Sequence, residues 1–277
     1  MTDSQPIVAF IGAGNMAGSI FGGLVANGYS AQSIIASDPK PEALAKLQAS
    51  LNIRTTTDNS EALAAADIVV LAVKPQVMKA VCCDLAPHLK PGTLVVSIAA
   101  GISAASLHTW LGGSQDLALV RCMPNTPSLV QAGASGLFAT PSVSDKQKQQ
   151  AESIMAAVGS VCWVNNEEDI HAVTAVSGSG PAYFFLMIEA MIDAGVAQGL
   201  SKDTATRLAL DTAYGAAKLA VNSDVDVVEL RRRVTSPNGT TAEAIASFEN
   251  NNYREIVADA MRACADRSRQ LAEQLAD

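Results

Sequence analysis

Five short, nearly uninterrupted apolar runs in the first half of the chain constrain its fold more than any other feature. They lie at 7–11 (IVAFI), 33–37 (SIIAS), 68–73 (IVVLAV), 93–98 (TLVVSI) and 117–122 (LALVRC). Each is rich in β-branched residues and lacks a regular polar alternation, the pattern of parallel strands buried on both faces. Helices are predicted between them at about 15–28, 41–50, 60–66, 76–88 and 103–111. Strand and helix in repeated alternation imply right-handed crossovers and a doubly wound sheet. Beyond about residue 165 no further strand is legible. Helices are predicted there at 167–176, 181–198, 202–221, 225–233, 241–249 and 252–275. The expected fold class is therefore α/β: a doubly wound parallel sheet over residues 1–165, then an all-helical domain over 166–277.

Composition agrees with two packed domains. Of the 277 residues, 49% are hydrophobic and 17% charged, the reverse of the balance that keeps chains disordered. A net charge of -8 argues against broad binding of nucleic acid. The longest basic run, Arg231, Arg232 and Arg233, reads as a solvated helix end or subunit contact. Five cysteines with no C-x-x-C spacing point to reduced thiols in a cytoplasm rather than disulfides or zinc. The start MTDSQPIVAFIG has neither the basic residues nor the cleavage site of a signal peptide. No apolar run in the sequence approaches the ~18 residues of a membrane span, so no membrane partner is expected.

Chemistry concentrates in loops at the ends of the expected strands. Gly12-Ala13-Gly14-Asn15-Met16-Ala17 follows the first strand and opens a helix. Gly12 permits the tight turn, Gly14 lets backbone approach a pyrophosphate, and Ala17 lets the helix pack closely on the strand. The pyrophosphate then meets free N–H groups and the positive helix end. That is a Rossmann dinucleotide fingerprint. Near the end of the second strand lie Ser37, Asp38 and Lys40. Asp38 suits a ribose diol, Lys40 a 2′-phosphate, and Asp38 equally suits a helix start before Pro39 and Pro41, so NADH and NADPH both remain open. Small residues around Ala99 and Gly101 let a cofactor lie against backbone, and Asn125, braced by Pro124 and Pro127, offers a planar amide.

The helical half carries two further motifs. Ser177-Gly178-Ser179-Gly180-Pro181 reads as a loop delivering free N–H groups to a helix that starts at Pro181. Thr235-Ser236-Pro237-Asn238-Gly239-Thr240-Thr241 reads in two ways. Thr240 and Glu243 fit a capping box, with Thr240 as N-cap. The same geometry also turns N–H groups and the Ser236 hydroxyl towards a small carboxylate. Segment 181–198 has only Glu189 and Asp193 as charges, four apart on one face. A helix apolar over the rest of its circumference needs cover on nearly all sides, which favours a homodimer. His88, His108 and His171 stand in no metal-binding spacing, and no nucleophile elbow or Walker A sequence occurs.

In order, IGAGNMA, AVKPQ, SIAAGI, RCMPNTP, VSGSGPAY and TSPNGTT together resemble pyrroline-5-carboxylate reductase, across residues 11 to 241. The last two are the most specific. The resemblance implies a helical dimerisation domain, dimers often gathered into larger rings, and NAD(P)H-dependent reduction of 1-pyrroline-5-carboxylate, a cyclic imino acid, to L-proline. By position it implies cofactor phosphates at Gly12, Gly14, Asn15 and Met16. It implies the adenosine half at Asn59, Ala72 and Lys74, and the nicotinamide end near Asn125. Ser236, Gly239 and Thr240 would hold the substrate carboxylate, and Thr241 would bond the ring nitrogen as the catalytic hydroxyl. Asn238 stands where the family usually has Gly, and Asn is the next best residue for left-handed backbone. Two other readings are a β-hydroxyacid dehydrogenase and a non-catalytic NAD(P)-binding sensor. The first needs a lysine base on the helix after the glycine-rich loop, and no lysine occurs between Lys148 and Lys202. The second has no use for a carboxylate clamp.

Overall fold

The computed structural model describes residues 5–276. They form two compact units, one ending at Ser179 and resumed by the chain from Cys264, the other Gly180–Ala263.

The first unit is built on an eight-stranded sheet of order β3-β2-β1-β4-β5-β6-β7-β8. Its strands are β1 (Val8–Ile11), β2 (Ile34–Ser37), β3 (Arg54–Thr56), β4 (Ile68–Leu71), β5 (Leu94–Ser97), β6 (Ala118–Met123), β7 (Gly133–Ala139) and β8 (Gly159–Trp163). β1 to β6 are parallel. The connection turns antiparallel at β6–β7, and β7 pairs parallel with β8. The sheet is thus doubly wound and mostly parallel, with one antiparallel junction that a purely parallel reading lacked.

Alternation along each central strand feeds two cores. Val8 and Phe10 face one layer, where α1 (Asn15–Ala26), α2 (Pro41–Leu51) and α6 (Asp145–Ala156) pack through Ile20, Phe21, Leu24, Leu44, Ile154 and Met155. Ala9 and Ile11 face the other, covered by α3 (Asn59–Ala65), α4 (Pro75–Leu85) and α5 (Ala104–Trp110) through Leu63, Met78, Leu85, Leu107 and Trp110. Each large side chain removed from water contributes roughly 1.5–3 kcal/mol. Both faces of the sheet are therefore apolar, which is why its strands read as continuous runs.

β3, β7, β8 and α6 fall outside the expected elements. β3 has three residues, too few for a periodic signal. β7 (GASGLFA) is poor in β-formers because its glycines sit where backbone and side chains crowd. A Cβ at Gly136 would stand 2.4 Å from Val173, and one at Gly133 2.3 Å from the Ser128 hydroxyl. Tertiary packing overrides propensity there.

The helical elements are α7 (Asp169–Val173), a π-turn (Thr174–Gly178), α8 (Gly180–Ala197), α9 (Lys202–Val221), α10 (Val227–Arg233), α11 (Thr240–Asn250) and α12 (Tyr253–Gln274). The Ser177–Gly180 segment is not the loop expected from its glycines. Helical structure continues through it by way of the π-turn, and the Ser179 N–H already donates to the Thr174 carbonyl at 2.8 Å. The resulting stretch Asp169–Ala197 is, by length and composition, long and apolar enough to cross a membrane. The sequence hid this because the SGSGP segment interrupts the apolar run. Within the second unit α8 packs on α9, so closely that a Cβ added at Gly195 would stand 3.3 Å from Ala205. Much of α8 stays exposed: Phe184 is 69%, Phe185 64% and Leu186 66% accessible.

Candidate active site

The parallel strands place their carboxyl ends in one row, and the strand order reverses at β1, between β2 and β4. Ligands of open α/β sheets bind at such a switch point. From the end of β2 to the end of β6 the row spans four inter-strand spacings, about 19 Å at 4.7–4.9 Å each.

Gly12 turns the chain at the end of β1. Its φ is +98°, and a Cβ there would lie 2.8 Å from the Ala72 carbonyl oxygen. Its N–H donates to the Ser37 carbonyl at 2.8 Å. Gly14 is different. Its φ is -72°, and an added Cβ would meet nothing within 4 Å. It is the N-cap of α1, which has no side-chain cap and no acidic residue in its first turn. The first N–H groups of that helix have no intrahelical partner, and exposed Asn15 and half-buried Met16 begin it. These features fit a pyrophosphate held on backbone: unpaired donors, a positive helix end and open space on the glycine's side-chain face.

The end of β2 resolves the local role of Asp38. One carboxylate oxygen accepts from the Ala13 N–H at 3.1 Å and the other from the Lys40 N–H at 3.0 Å. Asp38 therefore braces the glycine turn and the start of α2 together. Ser37 is buried and donates its hydroxyl to Asn59 Oδ1 at 2.7 Å. Lys40 and Lys74 are exposed N-caps, of α2 and α4. Ala72, half-buried, lies at the turn after β4.

After β5, Ala99 is 9% exposed. Gly101 has φ +70°, and its side-chain face meets Leu271 of α12, 3.2 Å from where a Cβ would be. After β6, Asn125 is 8% exposed, and both ends of its amide are used within the chain. Nδ2 donates to the Ser177 carbonyl at 3.0 Å, and Oδ1 accepts from the Ala134 N–H at 2.9 Å. The first unit thus collects Gly12, Gly14, Asn15, Met16, Ser37, Asn59, Ala72, Lys74, Ala99, Gly101 and Asn125 at one end of the sheet.

A cluster that sequence reasoning missed lies nearby. Buried Arg121 pairs with Glu167 at 2.7 Å, and Glu167 also accepts from the Ala104 N–H at 2.6 Å. His171 Nδ1 lies 2.8 Å from the Ser268 hydroxyl. Burial, first of all, pushes the His171 imidazole below its ordinary value, opposed by Glu168. The charge pattern gave no local hint, because the partners are 46 and 97 residues apart.

The second unit holds the Thr235–Thr241 loop. Ser236-Pro237-Asn238-Gly239 is a β-turn: the Gly239 N–H donates to the Ser236 carbonyl at 3.0 Å. Proline at its second position and Asn238 at φ +58° are the type II pattern. Asn238 therefore supplies the left-handed backbone. Gly239 is the N-cap of α11 with no side-chain cap, and Thr240 is the first helical residue. The capping-box reading fails for a geometric reason: Glu243 falls at the fourth helical position, not the third. The first N–H groups, at Thr240, Thr241 and Ala242, therefore lack intrahelical partners. Among the described residues, the Ser236, Thr240 and Thr241 hydroxyls make no hydrogen bond within the chain. The neighbouring arginines are ion-paired: Arg232 and Arg233 with Glu229, and Arg231 with Glu249 at 4.0 Å. Those two guanidinium groups hold the Glu229 carboxyl down at about 2. Among the described residues, no group of three or more His, Cys, Asp or Glu side chains is placed to hold a metal.

Comparison with known proteins finds two family matches. Residues 7–101 match the family described as NADP oxidoreductase, coenzyme F420-dependent, and residues 167–271 match pyrroline-5-carboxylate reductase dimerisation. The pyrroline-5-carboxylate reductase of Pseudomonas aeruginosa is 57% identical over 98% of this chain and 99% of its own. The solved pyrroline-5-carboxylate reductase of Coxiella burnetii is 44% identical and superposes with a TM-score of 0.93 over 96% of this chain and 98% of its own. That of Plasmodium falciparum, solved with NADP bound, is 30% identical with a TM-score of 0.83 over 97% and 99%. With a dinucleotide fingerprint, a glycine-capped threonine loop and near-identical length, the chain belongs to the pyrroline-5-carboxylate reductases, NAD(P)H-dependent oxidoreductases acting on a C=N bond.

Proposed function

We propose that the chain reduces 1-pyrroline-5-carboxylate to L-proline with the residue roles that follow, and that the observation carrying them is the uncapped start of α11. Three first-turn N–H groups and the Ser236 hydroxyl stand without partners next to a turn whose shape Pro237 and Asn238 fix. A planar carboxylate satisfies such donors. Ser236, Gly239 and Thr240 hold it, Gly239 by shaping the turn with its own N–H on the Ser236 carbonyl, and the Thr241 hydroxyl, one residue into the helix, donates to the ring nitrogen.

When bound, NAD(P)H would supply the hydride that the imine carbon takes up. Gly12, Gly14, Asn15 and Met16 hold its phosphates on backbone. Ser37, Asn59, Ala72 and Lys74 border the adenosine half, Ala99 and Gly101 the nicotinamide half, and Asn125 lies near the nicotinamide end with its amide already bonded within the chain. A protonated cyclic imine is already a strong electrophile. The chain then needs to orient two reactants at roughly 3–3.5 Å and steady the nitrogen, and orientation alone supplies roughly 7–11 kcal/mol. No strong base is needed, in keeping with an α8 that carries no lysine.

The work divides near residue 165: cofactor binding in 1–165, substrate binding and self-association in 166–277. The extents of the two family matches support this division. The chain works as a homodimer, supported by the exposed apolar surface of α8, and larger rings of dimers are the assembly that the resemblance implies. Five free cysteines suit a reducing cytoplasm.

The test is oxidation of NADPH and of NADH, followed by near-ultraviolet absorbance, with pyrroline-5-carboxylate as substrate. Proline forms in step with cofactor loss, and the two rates rank the cofactors. Thr241→Ala lowers kcat on the order of a hundredfold, the scale of one lost transition-state donor, and leaves cofactor affinity unchanged. Unaltered turnover in that variant removes Thr241 from the mechanism.

A further inference from the structure

Asn125, near the nicotinamide end in the proposed binding, has a role within the chain itself, and the reason begins with a proline. In an α-helix the Ser177 carbonyl would accept from the N–H of residue 181. Residue 181 is proline, which has no N–H and whose ring crowds the carbonyl four residues earlier. The helix responds with the π-turn Thr174–Gly178, a local widening that recurs at functional sites. The carbonyl deprived of its regular donor is the one that Asn125 Nδ2 reaches at 3.0 Å. The other end of the amide is fixed by the Ala134 N–H at 2.9 Å. Donor and acceptor must sit on one planar group, which an uncharged carboxamide provides whatever the pH, whereas a carboxyl does so only when protonated. The side chain is 8% exposed, so either bond, if lost, leaves a buried polar group unpaired.

We infer that Asn125 is a positioning residue that clasps the π-turn to the strand-end loop after β6, supplying the donor that Pro181 withholds from Ser177. This rests on the reductase reading only for its consequence for turnover. In the row of strand ends, β6 stands farthest from β2 and the glycine turn, on the nicotinamide side in the proposed binding. The residues assigned to the phosphates and adenosine, on β2, the starts of α1 and α3 and the loops after β1 and β4, make no bond in the clasp. Its loss therefore changes how reactants are aligned, while affinity for the cofactor persists.

The test is Asn125→Asp, alone and with Pro181→Ala. The aspartate keeps the acceptor for Ala134 and loses the donor to Ser177 when ionised. When protonated it regains that donor. At pH 8 kcat should fall roughly ten- to a hundredfold, the range expected for a buried unpaired carbonyl or a misplacement of about 1 Å, with the NADPH dissociation constant within about twofold of the parent. Relative to the parent enzyme, the variant should recover as pH falls towards 5.5. Pro181→Ala restores a backbone donor to Ser177, so in that background the pH 8 loss should shrink at least fivefold, and the drop in melting temperature should shrink with it. Three results overturn the clasp: a loss independent of pH, a dissociation constant rising in step with the loss of kcat, or an undiminished loss with Pro181→Ala. Should the aspartate variant not fold, Asn125→Ser in both backgrounds gives the same comparison through melting temperature, which requires no substrate. An inactive parent enzyme refutes the reductase reading and leaves the melting-temperature cycle to decide the clasp.

Discussion

Two glycines of one fingerprint are needed for different reasons. Gly12 is fixed by the chain itself: a positive φ and a carbonyl 2.8 Å from the missing Cβ leave no room for a side chain. Gly14 has ordinary backbone and open space, so nothing in the chain around it demands a glycine, and the proposed pyrophosphate is what would use its bare face. The two substitutions to alanine should therefore separate. Gly12→Ala loses about 1–3 kcal/mol of stability from backbone strain alone, with cofactor binding lost as well. Gly14→Ala melts within a few degrees of the parent, yet binds NADPH at least tenfold more weakly. Thermal melts beside cofactor titrations distinguish them, and equal affinity in Gly14→Ala would refute close approach of the pyrophosphate. Of the two readings of Thr240, cap and carboxylate site, the structure removes the first: the helix starts one residue earlier, Gly239 is the cap, and among the described residues the Thr240 hydroxyl has no partner.

At the scale of elements, α12 ends in a clasp of titratable groups. His171 bonds Ser268, with Glu168, Arg269, Arg121 and Glu167 around it. Burial is the main reason that the imidazole is held below its ordinary value. A base whose folded value is depressed adds stability above its unfolded value, near 6.5, and loses it as pH falls through the folded one. The end of α12 should accordingly loosen first in mild acid. Amide exchange across residues 264–276, slow at pH 8 after correction for intrinsic rates, should accelerate at pH 5 ahead of the sheet. His171→Gln, which keeps a partner for Ser268 and cannot titrate, should flatten that difference. Uniform acceleration across the whole chain would show that the clasp has no separate transition. The same helix presses Leu271 on Gly101, so its loosening would also be felt at the loop after β5.

For the whole molecule the unfinished business is apolar surface. Phe184, Phe185 and Leu186 stand more than 60% exposed on α8, large apolar side chains around much of the helix that need cover. The purified protein should sediment as a dimer or larger, with a melting temperature that rises with protein concentration. Phe184→Asp should yield smaller species with a melting temperature lowered by several degrees. A parent that remains monomeric at micromolar concentration would rule out self-association as the cover for α8 and turn attention to a membrane, given the length of the Asp169–Ala197 helical stretch.

Much of this was legible in order along the chain. Strands buried on both faces announce themselves as continuous β-branched runs, and the helices from Lys202 to Gln274 lie within two residues of their expected limits, because those signals are local. The glycine turn, the Asn238 conformation and the paired loops at strand ends follow from spacing for the same reason. Tertiary structure decided what depends on distant neighbours: β7, whose glycines are explained by Val173 and Ser128; the partners of Arg121 and His171; and the fate of Ser177–Gly180. That last segment looked like a loop because glycine and proline weaken helices locally. It continued as a helix because an amide 52 residues earlier in the chain supplies the hydrogen bond that proline removed.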